Sequence, residues 1–497
     1  MTHITASKLY NYLQCQHRVW RDIYGPQNEK IKEANPFVEL LWDKGIQHEK
    51  NVVSKLGKFT DFSGWDYDDA AKETIKAMER GDELIYQGVL KYGDMMGIPD
   101  LLRRQADGSY LPIDIKAGSG LEGETEETEG KIKKHYAVQL CLYVELLKNL
   151  KFTNKNKGLI IDIRESEVEY DLDSQVGPKT PKTWWQIYLE IKDEVKVLID
   201  NKKQNLPANA GICKLCPWYN SCKKWLKESD DLTNIFYLGR GKRDVICDEL
   251  GVNTVKDICT LDLAELKNRK KLNKTFLPGI GDKTMDKIMC RANILAITKK
   301  PVLYQPISFP DVSFELFFDI EDDPTQEFVY LHGVYERHGG EEKFIDFTAK
   351  DNTPEAEKEA WMKFWDYIRN LPKDDFAVYY YSHHEKTTYK KMQERYPEAI
   401  SLNEVEKFFD HPNVVDLYKI ILQQTDWPLG SYSLKEIVQY LGFKWRDETP
   451  SGALSIQWFN KYLETKDPKD LERILLYNED DCKATMILKD ALVKMSK

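Results

Sequence analysis

The chain has 497 residues, of which 41% are hydrophobic and 31% charged, with a formal net charge of −10. That length suits about three domains, and no apolar run approaches the ~18 residues of a membrane span. The acidic balance excludes a chain that grips polyanions by its total charge, but binding follows local patches, and carboxylates are the usual ligands of hard divalent cations.

Residues 5–24 read as a helix that Thr5 or Ser7 can cap. No signal-peptide pattern is read ahead of it, so a cytoplasmic protein is expected. Residues 84–116 read as strands: LIYQGVL, then IPDLLRR after a glycine bend, then YLPIDIK after the turn ADGS. Residues 122–134 run acidic and then basic and predict an exposed mobile loop. HYAVQLCLYVELL reads as a helix, followed by a strand near 158–163, helices over 183–200 and a cysteine cluster. From about 231 the pattern changes to short helices and glycine turns. Residues 300–312 hold three prolines and read as a linker. The last block reads strand–strand–strand–helix–strand, then helices, and no solenoid-type repeat is found.

Asp114 and Lys116 are two apart on a predicted strand, so both side chains leave one face. A carboxylate that holds Mg²⁺ or Mn²⁺ beside an ammonium that orients water suits metal-assisted hydrolysis. Asp100 is expected on the neighbouring strand across the ADGS turn. His48 on an upstream helix is a further ligand candidate, and Gln139 and Tyr143 share one helix face. Singly, each of these residues is an ordinary surface or core group. In this order, GIQHE, GIPD, DIK and QLCLY resemble the RecB-like branch of the PD-(D/E)xK nucleases. The resemblance implies metal ligands at His48, Asp100 and Asp114, a catalytic Lys116, and contacts from Gln139 and Tyr143 to substrate or lysine.

The nine cysteines are an odd number, and a reducing compartment argues against a disulfide set. Cys141, Cys247, Cys259, Cys290 and Cys482 lie singly in apolar patterns and read as small buried hydrophobes. Cys213, Cys216 and Cys222 are spaced C-x2-C-x5-C, one thiolate short of a four-ligand site, and Cys15 can supply the fourth. One cysteine near the N-terminus and three after the nuclease-like block resemble the iron–sulfur nucleases, among them AddB-type helicase-nucleases and CRISPR-associated RecB-like exonucleases. That resemblance implies a [4Fe–4S] cluster. Spacing alone leaves zinc open; the neighbouring nuclease-like order points to iron–sulfur.

FLPGIGDKTMDKIMCRA places Gly279, Gly281 and Lys283 before an amphipathic helix, where exposed backbone N–H groups can hold a phosphate. It resembles the helix–hairpin–helix motif of DNA-binding proteins, and LGVNTVKDI has the shape of a degenerate second copy. The alternative is a glycine-turned helix pair that only packs between domains.

FELFFDIEDD sets Asp319 and Glu321 on one strand face, with FVYLHGVYE as the expected antiparallel neighbour. YYYSHHEK gives Glu385 at a helix start, and LLYNEDDCKAT gives Tyr477 and Asp481 spaced Y-x3-D. This order resembles the tyrosine-type DnaQ exonucleases of the RNase H-like fold. It implies that Asp319, Glu321, Glu385 and Asp481 hold two metals about 4 Å apart, with Tyr477 orienting the water. Glu385 departs from the usual Asp there, Asp480 adjoins Asp481, and Asp416 lies where the family often has an acid.

Together the blocks resemble RecB-like nucleases with a C-terminal YprB-type RNase H-like domain; SYSLKEIVQYLGFKW, GALSIQWF and YNEDDCKAT extend the match. The expectation is an α/β multidomain chain. It comprises a PD-(D/E)xK restriction-endonuclease-like core with its cluster over 1–230, a helix–hairpin–helix-like region over 231–300, and an RNase H-like exonuclease domain over 310–497. The expected activity is metal-dependent hydrolysis of DNA ends or single strands in repair, recombination or defence. No P-loop occurs, but helicase fusions among such relatives imply a helicase partner. Two other readings stay open: a nucleic-acid-binding scaffold with one or both centres inactive, which Glu385 favours, and an RNA-processing exonuclease.

Overall fold

The computed structural model describes residues 2–32, 35–122, 130–177, 180–203 and 205–497. Its contacts divide the chain into two compact units, one of residues 1–207 and 211–222, the other of 208–210 and 223–497. Among the described residues no helix is long and apolar enough to cross a membrane.

The first unit opens with α1 (Ala6–Gln14) and α2 (Gln16–Tyr24). The expected helix over 5–24 is therefore broken at Cys15, whose backbone is extended at φ −161° and ψ 111°. Thr5 caps α1, as its hydroxyl accepts from the Lys8 N–H. Then come α3 (Pro36–Ser54), β1 (Thr60–Asp61), α4 (Tyr67–Arg80) and the strands β2 (Leu84–Tyr86), β3 (Leu90–Tyr92), β4 (Met95–Gly97), β5 (Leu101–Arg104) and β6 (Tyr110–Ile115). Short β7 (Leu121–Glu122) and β8 (Lys131–Ile132) pair antiparallel. They give order to the ends of the segment read as a mobile loop; its residues 123–129 lie outside those described. The unit closes with α5 (Lys134–Asn149), β9 (Lys157–Ile161), β10 (Glu167–Asp171), β11 (Gln175–Gly177), β12 (Thr180–Thr183) and α6 (Trp184–Ile199).

Its main sheet runs β1-β2-β5-β6-β9-β10. β6 and β9 are parallel, and α5 forms the crossover between them. Helix α5 is apolar nearly all round and joins a core with α1, α4 and α6. The opposite sheet face packs Leu101, Ile113, Ile115, Leu159 and Ile161 against Val52 of α3. Both faces are covered, so the central strands carry apolar residues on each side.

The second unit contains α7 (Tyr219–Glu228, from Lys223 onward), α8 (Gly239–Leu250), α9 (Val255–Ile258), α10 (Leu263–Leu272) and α11 (Asp282–Asn293). Helices α8 to α11 share a core that includes Ile246, Ile258, Leu266, Phe276, Ile280 and Met285. Next come β13 (Val302–Leu303), β14 (Phe314–Asp323), β15 (Phe328–His338), β16 (Glu341–Thr348), α12 (Pro354–Arg369), β17 (Phe376–Tyr380), α13 (His384–Arg395) and α14 (Leu402–Phe409). The chain ends with β18 (Val414–Asp416), α15 (Leu417–Gln424), β19 (Thr425–Asp426), α16 (Leu434–Tyr440), α17 (Gly452–Thr465) and α18 (Pro468–Ser496).

The five-stranded sheet runs β16-β15-β14-β17-β18, with β14 antiparallel to β15 and parallel to β17. Sequence periodicity missed β18, which is only three residues long. The proline-rich stretch read as a linker contains β13, paired with β19. Arg291 of α11 donates to Asp426 at 2.6 Å, and both are buried. The middle helices and the last sheet thus belong to one compact unit, although the sequence pattern separates 231–300 from 310–497.

Candidate nuclease centres

In the first unit Asp114 is 1% exposed on β6, and its carboxylate meets the Lys116 ammonium at 2.9 Å. Asp100 lies one residue ahead of β5, not within it. Its carboxylate accepts from the Ile115 N–H at 2.6 Å, fixed at the mouth of the β5–β6 ladder. Burial, and then the charge of Asp114, push the Asp100 carboxyl up to about 8. Burial opposes the Lys116 charge, but Asp114 and Asp100 outweigh it and hold the ammonium above its ordinary value. Tyr143 is buried on α5 with Asp114 and Asp100 as charged neighbours; burial first, then those carboxylates, raise its phenol. A Cβ at Gly97 would sit 2.7 Å from the Tyr143 ring, so the glycine of GIPD leaves space for it. Gln139 is half-buried one turn earlier on the same helix.

His48 Nε2 lies 3.0 Å from the Asp162 carbonyl oxygen, and among the described residues it forms no trio within 4.8 Å with Asp100 and Asp114. The neighbouring Glu49 instead accepts from Tyr86 at 2.9 Å and Gln87 at 3.0 Å, and its charge reaches Asp100. Glu49 is the last residue of GIQHE, a stretch that carried the family likeness, but it had no role assigned to it.

The four cysteines converge on one neighbourhood of this unit. Cys15 occupies the break between α1 and α2, Cys213 the short turn Gly211–Leu215, and Cys222 α7. The Cys216 N–H donates to the Cys213 carbonyl at 3.0 Å. Buried Trp218 ties the segment to α2, donating to Asp22 at 2.9 Å under the Arg21 guanidinium, 4.5 Å from its ring. Burial pushes the Cys222 thiol up to about 12, with Cys216, Cys15 and Cys213 adding to the rise. Thiols so raised ligate only when a cation displaces their protons. No three of these sulfurs lie within 4.8 Å of one another. Four thiolates on one zinc, at Zn–S ≈ 2.3 Å, would sit about 3.8 Å apart.

The second unit holds the tighter acid group. Asp319 and Glu321 share one face of β14, and α18 brings Asp481 against them. One ligand oxygen from each of the three lies within 4.8 Å of the others, and among the described residues no other trio of His, Cys, Asp or Glu does so. Burial raises Asp319 and Asp481, and Asp481 and Glu321 add to the rise of Asp319. Burial, with Asp481, pushes Glu321 up to about 8. Three carboxylates this close and this dry repel one another unless protons or a cation intervene. An all-oxygen set suits a hard divalent cation.

Glu385 stands at the start of α13, outside that trio, but its charge reaches Asp319. It is buried, and its Oε2 has no hydrogen-bond donor. Burial pushes this carboxyl up to about 8. Asp480 points away and forms an ion pair with Arg446 at 2.8 Å. Asp416 caps α15, accepting from the Tyr418 N–H at 2.9 Å.

Several residues that carry this site were not singled out from the sequence. Asn478 donates to Asp319 at 2.8 Å and Trp445 to Asp481 at 2.8 Å. Tyr330 bridges Ser455 at 2.9 Å and Glu321 at 3.4 Å. Lys435 donates to the Tyr477 hydroxyl at 2.8 Å, and its charge offsets the rise of Asp319, Glu321 and Asp481. Tyr477 is itself buried, and burial, then Asp481, raise its phenol. Lys435, Trp445, Ser455 and Asn478 lie in SYSLKEIVQYLGFKW, GALSIQWF and YNEDDCKAT, stretches that carried the family likeness without any assigned role.

Residues 316–493 match the family RNase_H_2, described as RNase_H superfamily. The C-terminal domain is RNase H-like. Folds of this kind are of nuclease type, and RNase H-like nucleases use divalent metals, which the Asp319, Glu321 and Asp481 trio is suited to bind. No curated protein matches the chain.

Proposed function

We propose that the chain is a metal-dependent nuclease acting on DNA ends or single strands, in repair, recombination or defence. The observation that carries this reading is the meeting of Asp319, Glu321 and Asp481 within 4.8 Å inside an RNase H-like domain. Mg²⁺ or Mn²⁺ held there would supply charge neutralisation at the scissile phosphate and a nucleophile at neutral pH. The chain's own groups do the rest. Asn478 and Trp445 fix the carboxylate rotamers of Asp319 and Asp481. Glu385 offers its undonated oxygen as the fourth acid. Tyr477, held by Lys435, orients the attacking water.

In the first unit we assign Asp100, Asp114 and His48 as metal ligands of a RecB-like centre, with Lys116 assisting the water and Gln139 and Tyr143 contacting substrate or lysine. The buried Asp114–Lys116 pair and the raised Asp100 support this reading; His48 would have to exchange its carbonyl partner for the metal. Cys15, Cys213, Cys216 and Cys222 would hold a [4Fe–4S] cluster, with zinc as the alternative; the gathering of all four thiols around Cys222 supports a shared site. Gly279, Gly281 and Lys283 would contact nucleic-acid backbone, and a helicase is the proposed partner in the cytoplasm.

One observation favours a binding protein with a silent second centre: Glu385 lies outside the converged trio. The test is degradation of matched labelled DNA and RNA strands with Mn²⁺ by the wild type, Asp319→Asn, Asp114→Asn and the double variant. Cleavage lost in one single variant assigns the active centre, and the preferred strand assigns the substrate. Wild-type protein that binds both strands and cuts neither overturns the nuclease reading.

A further inference from the structure

The second unit contains a pocket that the acid centre does not use. A cavity of about 340 Å³ is lined by Phe236, Tyr237, Lys242, Lys283, Lys287 and Leu422, among others. Lys283 and Lys287 are exposed on α11. Lys242 and Lys287 approach only the carbonyl oxygens of Tyr237 and Leu422, each at 3.4 Å. Among the described residues none of the three lysines forms an ion pair with a carboxylate, in a chain whose net charge is −10. Among the described residues this is a local cluster of three lysines without a carboxylate partner.

The pocket also has an aromatic wall. Tyr237 is 63% exposed and adopts a left-handed backbone, φ 63°, which is uncommon for a bulky residue. Its ring stacks on Phe236 at 4.1 Å, and Phe236 stacks on Tyr432 at 3.8 Å. The Tyr237 hydroxyl meets that of Tyr418 at 3.1 Å, and the Tyr418 ring lies 5.2 Å from Tyr381. Tyr381 precedes the Ser382–Glu385 turn, where the Ser382 N–H donates to Asp416 at 3.1 Å and the Asp416 charge reaches Glu385. A run of rings, Tyr381–Tyr418–Tyr237–Phe236, therefore leads from the edge of the acid centre to the lysine pocket.

A run of rings that ends at a cluster of unpaired cations suits single-stranded nucleic acid, because every base offers a face to stack and every phosphate a charge. An acidic peptide would satisfy the lysines but not the ring run. We propose that this path is the binding track for the single-stranded tail of the substrate. Bases stack on Tyr418 and Tyr237, and phosphates are held by Lys242, Lys283 and Lys287. The proposal rests on the nuclease reading for the position of the strand's end but not for the track itself.

The test is fluorescence anisotropy of a labelled oligodeoxythymidine on full-length Asp319→Asn protein, in the absence of divalent metal and over a salt series. Adding Tyr237→Ala should weaken binding roughly ten-fold, while Tyr237→Phe, which keeps the ring, should bind like the parent. Adding Lys283→Ala with Lys287→Ala should reduce the salt slope by about 1.4, at about 0.7 per phosphate contact on a single strand. Melting temperatures equal to the parent's establish that these surface variants fold. Affinity and salt slope unchanged in both sets overturn the track, as does Tyr237→Phe losing as much as Tyr237→Ala. Hydrolysis of thymidine 5′-p-nitrophenyl phosphate with Mn²⁺ by the otherwise wild-type protein reads the acid centre separately. Its absence would count against the nuclease reading and leave the binding result to decide the track.

Discussion

Gly333 of β15 faces Asn478 of α18 so closely that a Cβ at position 333 would lie 1.7 Å from the Asn478 Oδ1. The same amide donates to Asp319 at 2.8 Å, and Asp319 and Gly333 are register partners across β14 and β15. The glycine is needed here for close approach rather than for backbone freedom. It lets α18 come down onto the sheet far enough to deliver Asp481.

Gly333→Ala should therefore push α18 outward and cost on the order of 1–3 kcal/mol, the usual range for overpacking a filled site. Urea denaturation measures it. If the contact with Asn478 is the cause, Gly333→Ala/Asn478→Ala should be no less stable than Asn478→Ala alone. A double variant whose losses simply add would show that some other neighbour meets the new methyl group.

His332 makes the domain sensitive to acid. It is fully buried on β15, its Nδ1 lies 2.8 Å from the Tyr389 hydroxyl, and its Nε2 has no partner. Burial pushes its pKa down to about 3. The folded state thus binds the proton less readily than the unfolded chain, whose imidazole titrates near 6.5. Its neutral form supports the fold above about pH 6.5, and that support is lost as pH falls toward 3. Between pH 8 and pH 5 the contribution lost is roughly 2 kcal/mol. His332→Gln removes this titration, so denaturation of the variant and the wild type should differ less at pH 5 than at pH 8. An equal gap at both values rules out a buried neutral imidazole as the source.

How much of the site could be read from the sequence follows the range of the signal. Asp319 and Glu321 are two apart on a strand, and Tyr477 and Asp481 four apart on a helix, so local periodicity alone predicts shared faces. The three-residue β18 and the break at Cys15 carry too little local pattern to read. Asn478, Lys435, Trp445 and Ser455 matter through partners 159, 42, 36 and 125 residues away. Only the packing of α16 and α17 against α18, and of α17 and α18 against the sheet, makes those pairs. His48 shows the converse: its place in a motif suggests a ligand, and the carbonyl of Asp162 that lies 3.0 Å from its ring is a partner no local pattern announces.

Lys435 and Tyr477 should act as one unit in catalysis. The ammonium donates to the phenol at 2.8 Å and lies 4.8 Å from its ring centre, which holds the hydroxyl in place and favours a buried group that burial alone leaves unpositioned. Tyr477→Phe should lower kcat roughly 100-fold with KM little changed, the range expected when a positioned group is lost. Lys435→Met should lower kcat roughly 10- to 100-fold. The double variant should be little slower than Tyr477→Phe, since each single change already disables the pair. Effects that multiply in full would mean that Lys435 acts chiefly through its charge on the acids, independent of Tyr477.

The cysteine neighbourhood should couple metal content to the stability of the first unit. Cys15 and Cys213 are 198 residues apart in sequence, so a cluster bridging them closes a long loop of the unfolded chain. Trp218, Asp22 and Arg21 already hold the two segments together through ring and hydrogen-bond contacts. Protein purified without oxygen should be brown and contain about four iron atoms, the content of a [4Fe–4S] cluster. Cys222→Ala should lose the colour and the iron and lower the melting temperature of the first unit. Asp319→Asn, in the other unit, should leave the spectrum as it is. Colourless wild-type protein with one zinc would instead assign the thiols to a tetrahedral site, with sulfurs about 3.8 Å apart. A Cys222→Ala variant with unchanged metal and unchanged melting would show that no metal bridges these segments through Cys222.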